Sequence, residues 1–154
     1  MRRMERQVKE IKDIESIISR SDVCRVAFAD NNTPYIVTMN FGYSGGAYPC
    51  LYFHCAPEGR KIEMIKKNSR VCFELDTDHE IYTGEKGCDW GMKFSSVVGY
   101  GNISVVKEKD LKIEGLDCLM AHYSDKKGFS YEEKVLEKTI VLKLDIHEMT
   151  GKRK

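Results

Sequence analysis

The chain has 154 residues, of which 25 are basic and 24 acidic, leaving a formal net charge of +1. That length suits one domain, residues 1–154, able to hide about two thirds of its unfolded surface in one core without a metal or disulfide staple. So small a net charge gives little long-range attraction for nucleic acid, and any anion must be met by local side chains.

The N-terminal segment "MRRMERQVKEIKD" lacks the apolar core of a signal peptide, and no stretch approaches the roughly 20 apolar residues of a membrane span. A cytoplasmic protein is expected, with neither nucleic acid nor membrane as partner. "IKDIESIISRSD" sets Ile11, Ile14, Ile17 and Ile18 on one face of a helix, with Asp13 and Glu15 turned outward. "VCRVAFAD" alternates through Cys24, Val26 and Phe28, "NNTP" supplies turn chemistry, and "YIVTMNFGY" repeats the alternation at Tyr35, Val37, Met39 and Phe41. After "SGG", "YPCLYFHC" completes three expected antiparallel strands, with Leu51 and Phe53 facing away from Tyr52 and His54. A short helix, a strand "RVCFEL", a polar loop from Asp76 to Gly87 and a long strand "KFSSVVGYGNISVV" follow. "EKDLKIEGLDCLMAHY" reads as a helix despite Gly115, and its stripe of Leu116, Leu119, Met120 and Tyr123 reads as packing. "YEEKVLEK" adds a helical turn or two, "TIVLKLDIHEMTGK" is the last strand, and the final "GKRK" reads as a solvated tail. Mostly consecutive, tightly turned strands with few helices make a mainly β fold, a small antiparallel barrel rather than a doubly wound sheet.

The six cysteines lie mostly inside apolar stretches and form no CxxC pair, so free, mostly buried thiols are expected. Cys50 and His54 share a strand face but have no recognisable third ligand, so no metal is expected. "FHCAPEGRKIEMI" poses the sharper question: Arg60 and Lys61 stand where an apolar strand gives way to a helix. Free N–H groups and the positive end of the helix dipole make each cation unfavourable there by about 0.3 to 1 kcal/mol. Either an anion offsets that cost, or both side chains point to solvent or pair with Glu58 and Glu63.

"NNTPYIVTMNFGY", "LYFHCAPEGRKIEMIKKNSRVCFEL" and "CDWGMKFSSVVGYG", with the closing "TIVLKLDIHEMTGK", together resemble the flavin-binding split-barrel proteins related to pyridoxamine 5'-phosphate oxidase, most closely the nitroimidazole-resistance branch. The resemblance covers nearly the whole chain and implies a six- to seven-stranded antiparallel split barrel with flanking helices. It further implies a homodimer with FMN in the groove between subunits. The phosphate would be held by Arg60 as a fork and Lys61 as a point charge, at the helix start. The segment Val37, Thr38 and Met39 matches the strand along the flavin ring, with Thr38 standing where related sequences often have proline. Cys55 and His54 match the strand end beside the ribityl chain and ring, and His54 is the candidate for proton supply or substrate orientation. Ser95 and Ser96 occupy the place of a polar side chain near the phosphate or ribityl group, Ser96 being the closer match. Trp90 stands where related sequences keep an aromatic and would wall the flavin or substrate.

Each assignment has a plain structural alternative. Val37 and Met39 also fit a barrel core, His54 a hydrogen-bonded strand histidine, the serines ordinary strand polarity, and Trp90 a core or interface. The resemblance implies an FMN-dependent oxidoreductase passing electrons from a reduced nicotinamide, NADH or NADPH, to a small acceptor such as a nitro compound. An oxidase acting on pyridoxamine phosphate fits less well, because no tryptophan follows Trp90. The alternatives are a noncatalytic flavin- or haem-binding sensor or store, with His54, His122 or His147 as iron ligands, and a simple anion-binding module.

Overall fold

In the computed structural model, which describes residues 3–154, the first elements are a short strand β1 (Gln7–Val8) and the helix α1 (Ile11–Arg20). Met1 and Arg2, at the start of the charged N-terminal segment, lie outside the described residues. Ile14, Ile17 and Ile18 of α1 are buried as their spacing predicts. Ile11 is 52% exposed, because burial of that face begins one turn later.

Asn31 and Asn32 both adopt positive φ, 48° and 61°, as a tight two-residue hairpin requires. They join β2 (Cys24–Asp30) to β3 (Thr33–Met39) in antiparallel register, Val26 opposite Val37. The chain continues through β4 (Gly42–Ser44), β5 (Cys50–Cys55), α2 (Arg60–Lys67), β6 (Arg70–Tyr82), β7 (Gly91–Val106), α3 (Lys109–Tyr123), α4 (Glu133–Lys138) and β8 (Ile140–Arg153). The strands form one antiparallel sheet in the order β3-β2-β6-β7-β8-β5-β4, with β1 added on β8. The curled, unclosed sheet is a split barrel, as expected, with eight strands because β1 and β4 are too short to show in the sequence.

Three sequence expectations are corrected. "YIVTMNFGY" is not one strand: β3 and β4 lie at opposite ends of the sheet order, and only Asn40 and Phe41 carry the chain across the seam. Phe41 is fully buried at that crossing, its N–H donating to Tyr123 Oη (3.0 Å) while the Tyr123 hydroxyl donates to the Asp22 carbonyl (2.8 Å). Consequently β5 pairs with β4 and β8 rather than following β3 in a three-strand meander. The polar stretch after Asp76 is strand, not loop: β6 runs to Tyr82 through a bulge between Thr77 and Glu80, Ile81 facing Met92 of β7. It lies on an arm beyond the core, where polar side chains suit both faces. The closing "GKRK" is no solvated tail. Gly151 and Lys152 pair with β1, the Lys154 backbone exchanges two hydrogen bonds with Phe94 (3.2 and 2.9 Å), and Lys154 Nζ sits 4.9 Å from the Tyr82 ring centroid.

The core fills the barrel with Val26, Phe28, Phe53, Phe73, Leu75, Val97, Ile103, Leu142 and Leu144, plugged by the isoleucines of α1. A second, smaller cluster of Cys50, Tyr52 and Val141 lies under α3. Gly115 makes that contact possible: a methyl there would meet the Tyr52 ring at 2.7 Å and Val141 at 2.9 Å. All six cysteines are free, but only Cys24 and Cys50 are buried, and Cys88 is exposed. No helix among the described residues is long and apolar enough to cross a membrane.

Candidate functional site

The strand β5 ends at Cys55, and the chain turns into α2 at Gly59, whose φ of 134° and ψ of 166° suit only glycine. Lacking a side chain, Gly59 cannot cap the helix; its carbonyl accepts from Ile62 N (2.9 Å) and Glu63 N (3.3 Å), and no side chain caps the first-turn amides. Arg60 and Lys61 open the helix. The Arg60 guanidinium lies 4.6 Å from the centroid of the Tyr35 ring, close enough for a cation–π contact. Neither cation pairs with a carboxylate within 4.0 Å among the described residues, because Glu63 takes Lys66 (2.8 Å) and Asp30 takes Lys67 (2.7 Å). Pairing of the two cations with Glu58 or Glu63 is therefore not found. Arg60 borders a hollow of about 260 Å³ that also takes in Asp30, Asn31, Thr33, Glu63, Met64 and Lys67, its two carboxylates held by Lys67 and Lys66.

Lys61 is half-buried, and its charge acts on the neighbouring Cys55 thiol. Burial raises that thiol's pKa and the Lys61 ammonium lowers it, with burial the stronger effect, so Cys55 stays a neutral thiol at pH 7. Cys55 and Val37 pack inward against the barrel core, and Met39 belongs to it. Thr38 is exposed on the outer face. As the terminal strand of the sheet order, β3 has one neighbouring strand, so alternate backbone groups point off its free edge, the geometry a heterocycle's carbonyls and N–H could meet.

His54 lies elsewhere. It is exposed and shares a face with Tyr52, so its ring points away from the barrel core and into a second hollow, of about 400 Å³, against α3 and α4. The two serines split by strand alternation. Ser95 is buried and accepts a hydrogen bond from Arg153 Nε at 3.3 Å, whereas Ser96 is half-buried on the outer face between Asp76 and Lys152. Three strand spacings separate Ser96 on β7 from Tyr35 and Arg60 at β3, about 14 Å across the sheet. Trp90 is 56% exposed at the end of the β6–β7 arm, its Nε1 donating to the Gly84 carbonyl at 2.9 Å. One chain therefore brings Arg60 to the Tyr35 ring and Lys61 to Cys55, with Val37 on the same inward face of β3 as Tyr35, and leaves His54, Ser96 and Trp90 apart. It adds Tyr35, which alternation marks only as half-buried; no signal in the sequence places it under a guanidinium.

His122 is engaged structurally, its Nε2 2.8 Å from the Ser21 carbonyl and its ring 4.2 Å from that of Phe41. No three His, Cys, Asp or Glu side chains among the described residues gather at metal-binding geometry.

Comparison with known proteins finds no match among curated sequences. Among solved structures the chain is similar to a candidate 5-nitroimidazole antibiotic resistance protein from Bacteroides thetaiotaomicron, with 34% identity and a TM-score of 0.83, covering 96% of this chain and 86% of that one. The flavocytochrome Anf3 from Azotobacter vinelandii shares the fold at 16% identity and TM-score 0.82, over 100% of this chain and 72% of its own. So does an FAD-binding protein from Mesorhizobium loti, at 21% identity and TM-score 0.68 over 97% of both chains. The family model for pyridoxamine 5'-phosphate oxidase matches residues 10–153. With that match spanning nearly every strand and the α2 cation pair, the chain belongs to the pyridoxamine 5'-phosphate oxidase family.

Proposed function

We propose that this protein is an FMN-dependent oxidoreductase that passes electrons from NADH or NADPH to a small acceptor, working as a homodimer with the flavin between subunits. The observation that carries this reading is the pair Arg60 and Lys61 at an α2 start with no capping side chain, with no carboxylate partner among the described residues. A phosphate dianion suits that place: amides, helix dipole and two cations all favour it. Relatives described as FAD-binding, from Mesorhizobium loti, and as FAD- and haem-binding, from Mycobacterium smegmatis, support a flavin on this fold. The relative from Bacteroides thetaiotaomicron supports a nitro compound as acceptor.

When bound, the flavin would supply the electron transfer. Arg60 and Lys61 would hold its phosphate, the free edge of β3 would meet the polar rim of its ring, and Cys55 and Val37 would keep water from the barrel mouth. The site is incomplete in one chain, since Ser96 and Trp90 lie away from Arg60. A second copy would bring them to it. The outer face offers a surface for that copy: Ile36, Val98 and Tyr100 are exposed there, with Ala27 and Cys72 between them in register, a larger apolar group than isolated surface residues make. The test is anaerobic mixing of the FMN-loaded protein with NADPH or NADH. Bleaching of the flavin absorbance, followed by its return on adding a nitroimidazole, is expected; a flavin that neither nucleotide bleaches removes the electron source and with it the reductase reading.

A further inference from the structure

The geometry points to Tyr35 as the residue that positions Arg60: its ring face holds the guanidinium and leaves the N–H edge of the arginine free for a phosphate. That the anion is the flavin's phosphate rests on the reading above; the hold on Arg60 does not.

An arginine at an exposed helix start has many rotamers, and a ligand that needs one of them bears the entropy of ordering it. Arg60 is exposed, and no carboxylate among the described residues holds it. What it does touch is the Tyr35 ring, 4.6 Å from the guanidinium carbon to the centroid, inside the roughly 6 Å reach of a cation–π contact. The lysines at the other end of α2 are ordered differently, Lys66 by Glu63 and Lys67 by Asp30. Both carboxylates of the hollow beside Arg60 are thus taken, and neither competes for the guanidinium. The difference matters for an incoming anion. A carboxylate partner would occupy the N–H groups that a phosphate needs and would have to be displaced first. A ring takes only the flat face of the guanidinium, so stacking and a forked, in-plane grip on phosphate oxygens coexist.

The ring is itself fixed. Tyr35 stands opposite Phe28 across the β2–β3 pair, the ring centroids 6.4 Å apart and the planes tilted by 38°, and Phe28 is buried in the core. The hairpin that carries both is tied to α2 by Lys67 Nζ donating to Asp30 at 2.7 Å and by Asn68 Nδ2 donating to the Ala29 carbonyl at 3.1 Å. Contact therefore runs from the core through Phe28 and Tyr35 to Arg60, and the place of the guanidinium is set before a ligand arrives. The ring face does this without the hydroxyl, so phenylalanine should serve as well.

Two measurements test the assignment. In flavin-free protein carrying 15N-arginine, the Nε–H resonance of Arg60, identified by its loss in Arg60→Lys, should show the ring-current shift of an aromatic face. Tyr35→Phe should keep that shift, and Tyr35→Leu should abolish it. Flavin fluorescence quenching then reads the consequence for binding. Tyr35→Leu should weaken FMN about three- to fivefold, the scale of a cation–π contact at an exposed site, and leave riboflavin unchanged. Tyr35→Phe should bind both ligands as the parent does, and Tyr35→Leu should have no further effect in an Arg60→Ala background. A phenylalanine variant as weak as the leucine variant would assign the effect to the hydroxyl. An equal loss of riboflavin, or the full loss with the Arg60 side chain already removed, would make Tyr35 a ring contact or a packing residue, and an absent ring-current shift would remove the contact itself. Each of these results overturns the proposal. A parent protein that takes up no FMN rejects the phosphate reading alone, and the hold of Tyr35 on Arg60 is then decided by the resonance.

Discussion

Replacing Arg60 and Lys61 together by alanine should weaken FMN binding about 100-fold and leave riboflavin binding unchanged. Each charge-assisted phosphate contact contributes about 1.5 to 3 kcal/mol. Arg60 is exposed and Lys61 half-buried, so solvent screening puts both at the low end, and two contacts of about 1.5 kcal/mol give roughly two decades in affinity. The α2 amides remain in the variant, which keeps some phosphate affinity. Loss of the Arg60 contact with Tyr35 costs about 0.5 to 1 kcal/mol at an exposed site, too little to unfold the barrel, and circular dichroism verifies this. Quenching of flavin fluorescence reads both affinities. Riboflavin lacks the phosphate, so it separates anchoring from ring contacts: equal loss for both ligands, or an FMN affinity within threefold of the parent, would refute the reasoning.

Tyr123→Phe should destabilise the fold by about 1 to 2 kcal/mol, since it strips the Phe41 N–H and the Asp22 carbonyl of their shared partner at the barrel seam; faster hydrogen exchange at the Phe41 amide is the direct readout. Asp78 gives a pH test. The hydrogen-bonded Arg20 guanidinium holds its carboxyl down to about 2, against an ordinary 3.8, so its stabilisation is complete above the ordinary value and is lost as pH falls toward the depressed one. Both side chains are about 40% exposed, which limits the pair to about 0.5 to 1 kcal/mol. The urea midpoint of Asp78→Asn should lie below that of the parent at pH 6 and coincide with it at pH 2; a gap independent of pH would count against the pair. Val98→Glu, on the outer face, should yield monomers by sedimentation if that face joins two copies, and an unaltered mass would place the interface elsewhere.

Alternation found the buried side of β2 at Cys24, Val26 and Phe28 and set Leu51 and Phe53 of β5 opposite Tyr52 and His54, but it did not show that Cys50 and Tyr52 are buried too, in the second cluster under α3. It could not see that the chain changes edges at Asn40, because Tyr35, Val37, Met39 and Phe41 keep the same period on both sides of the crossing. Nor could it see strands without a buried face: Asp76 to Tyr82 and the final Lys152 and Arg153 pair through backbone bonds that are blind to side-chain polarity. At the site, spacing placed Arg60 and Lys61 at a helix start, and the period of two separated Ser95 from Ser96. The position of His54 was beyond reach, since α3 and α4 enter the chain more than fifty residues later and decide which hollow it faces.

The claim that a flavin mononucleotide occupies the α2 start is tested most directly by the chromophore that leaves the purified protein on heat denaturation. Chromatography should recover FMN, close to one equivalent per chain after loading, from a yellow protein with the two absorption bands of oxidised flavin. A colourless protein that takes up no added FMN, or one whose spectrum is a Soret band, would contradict the account.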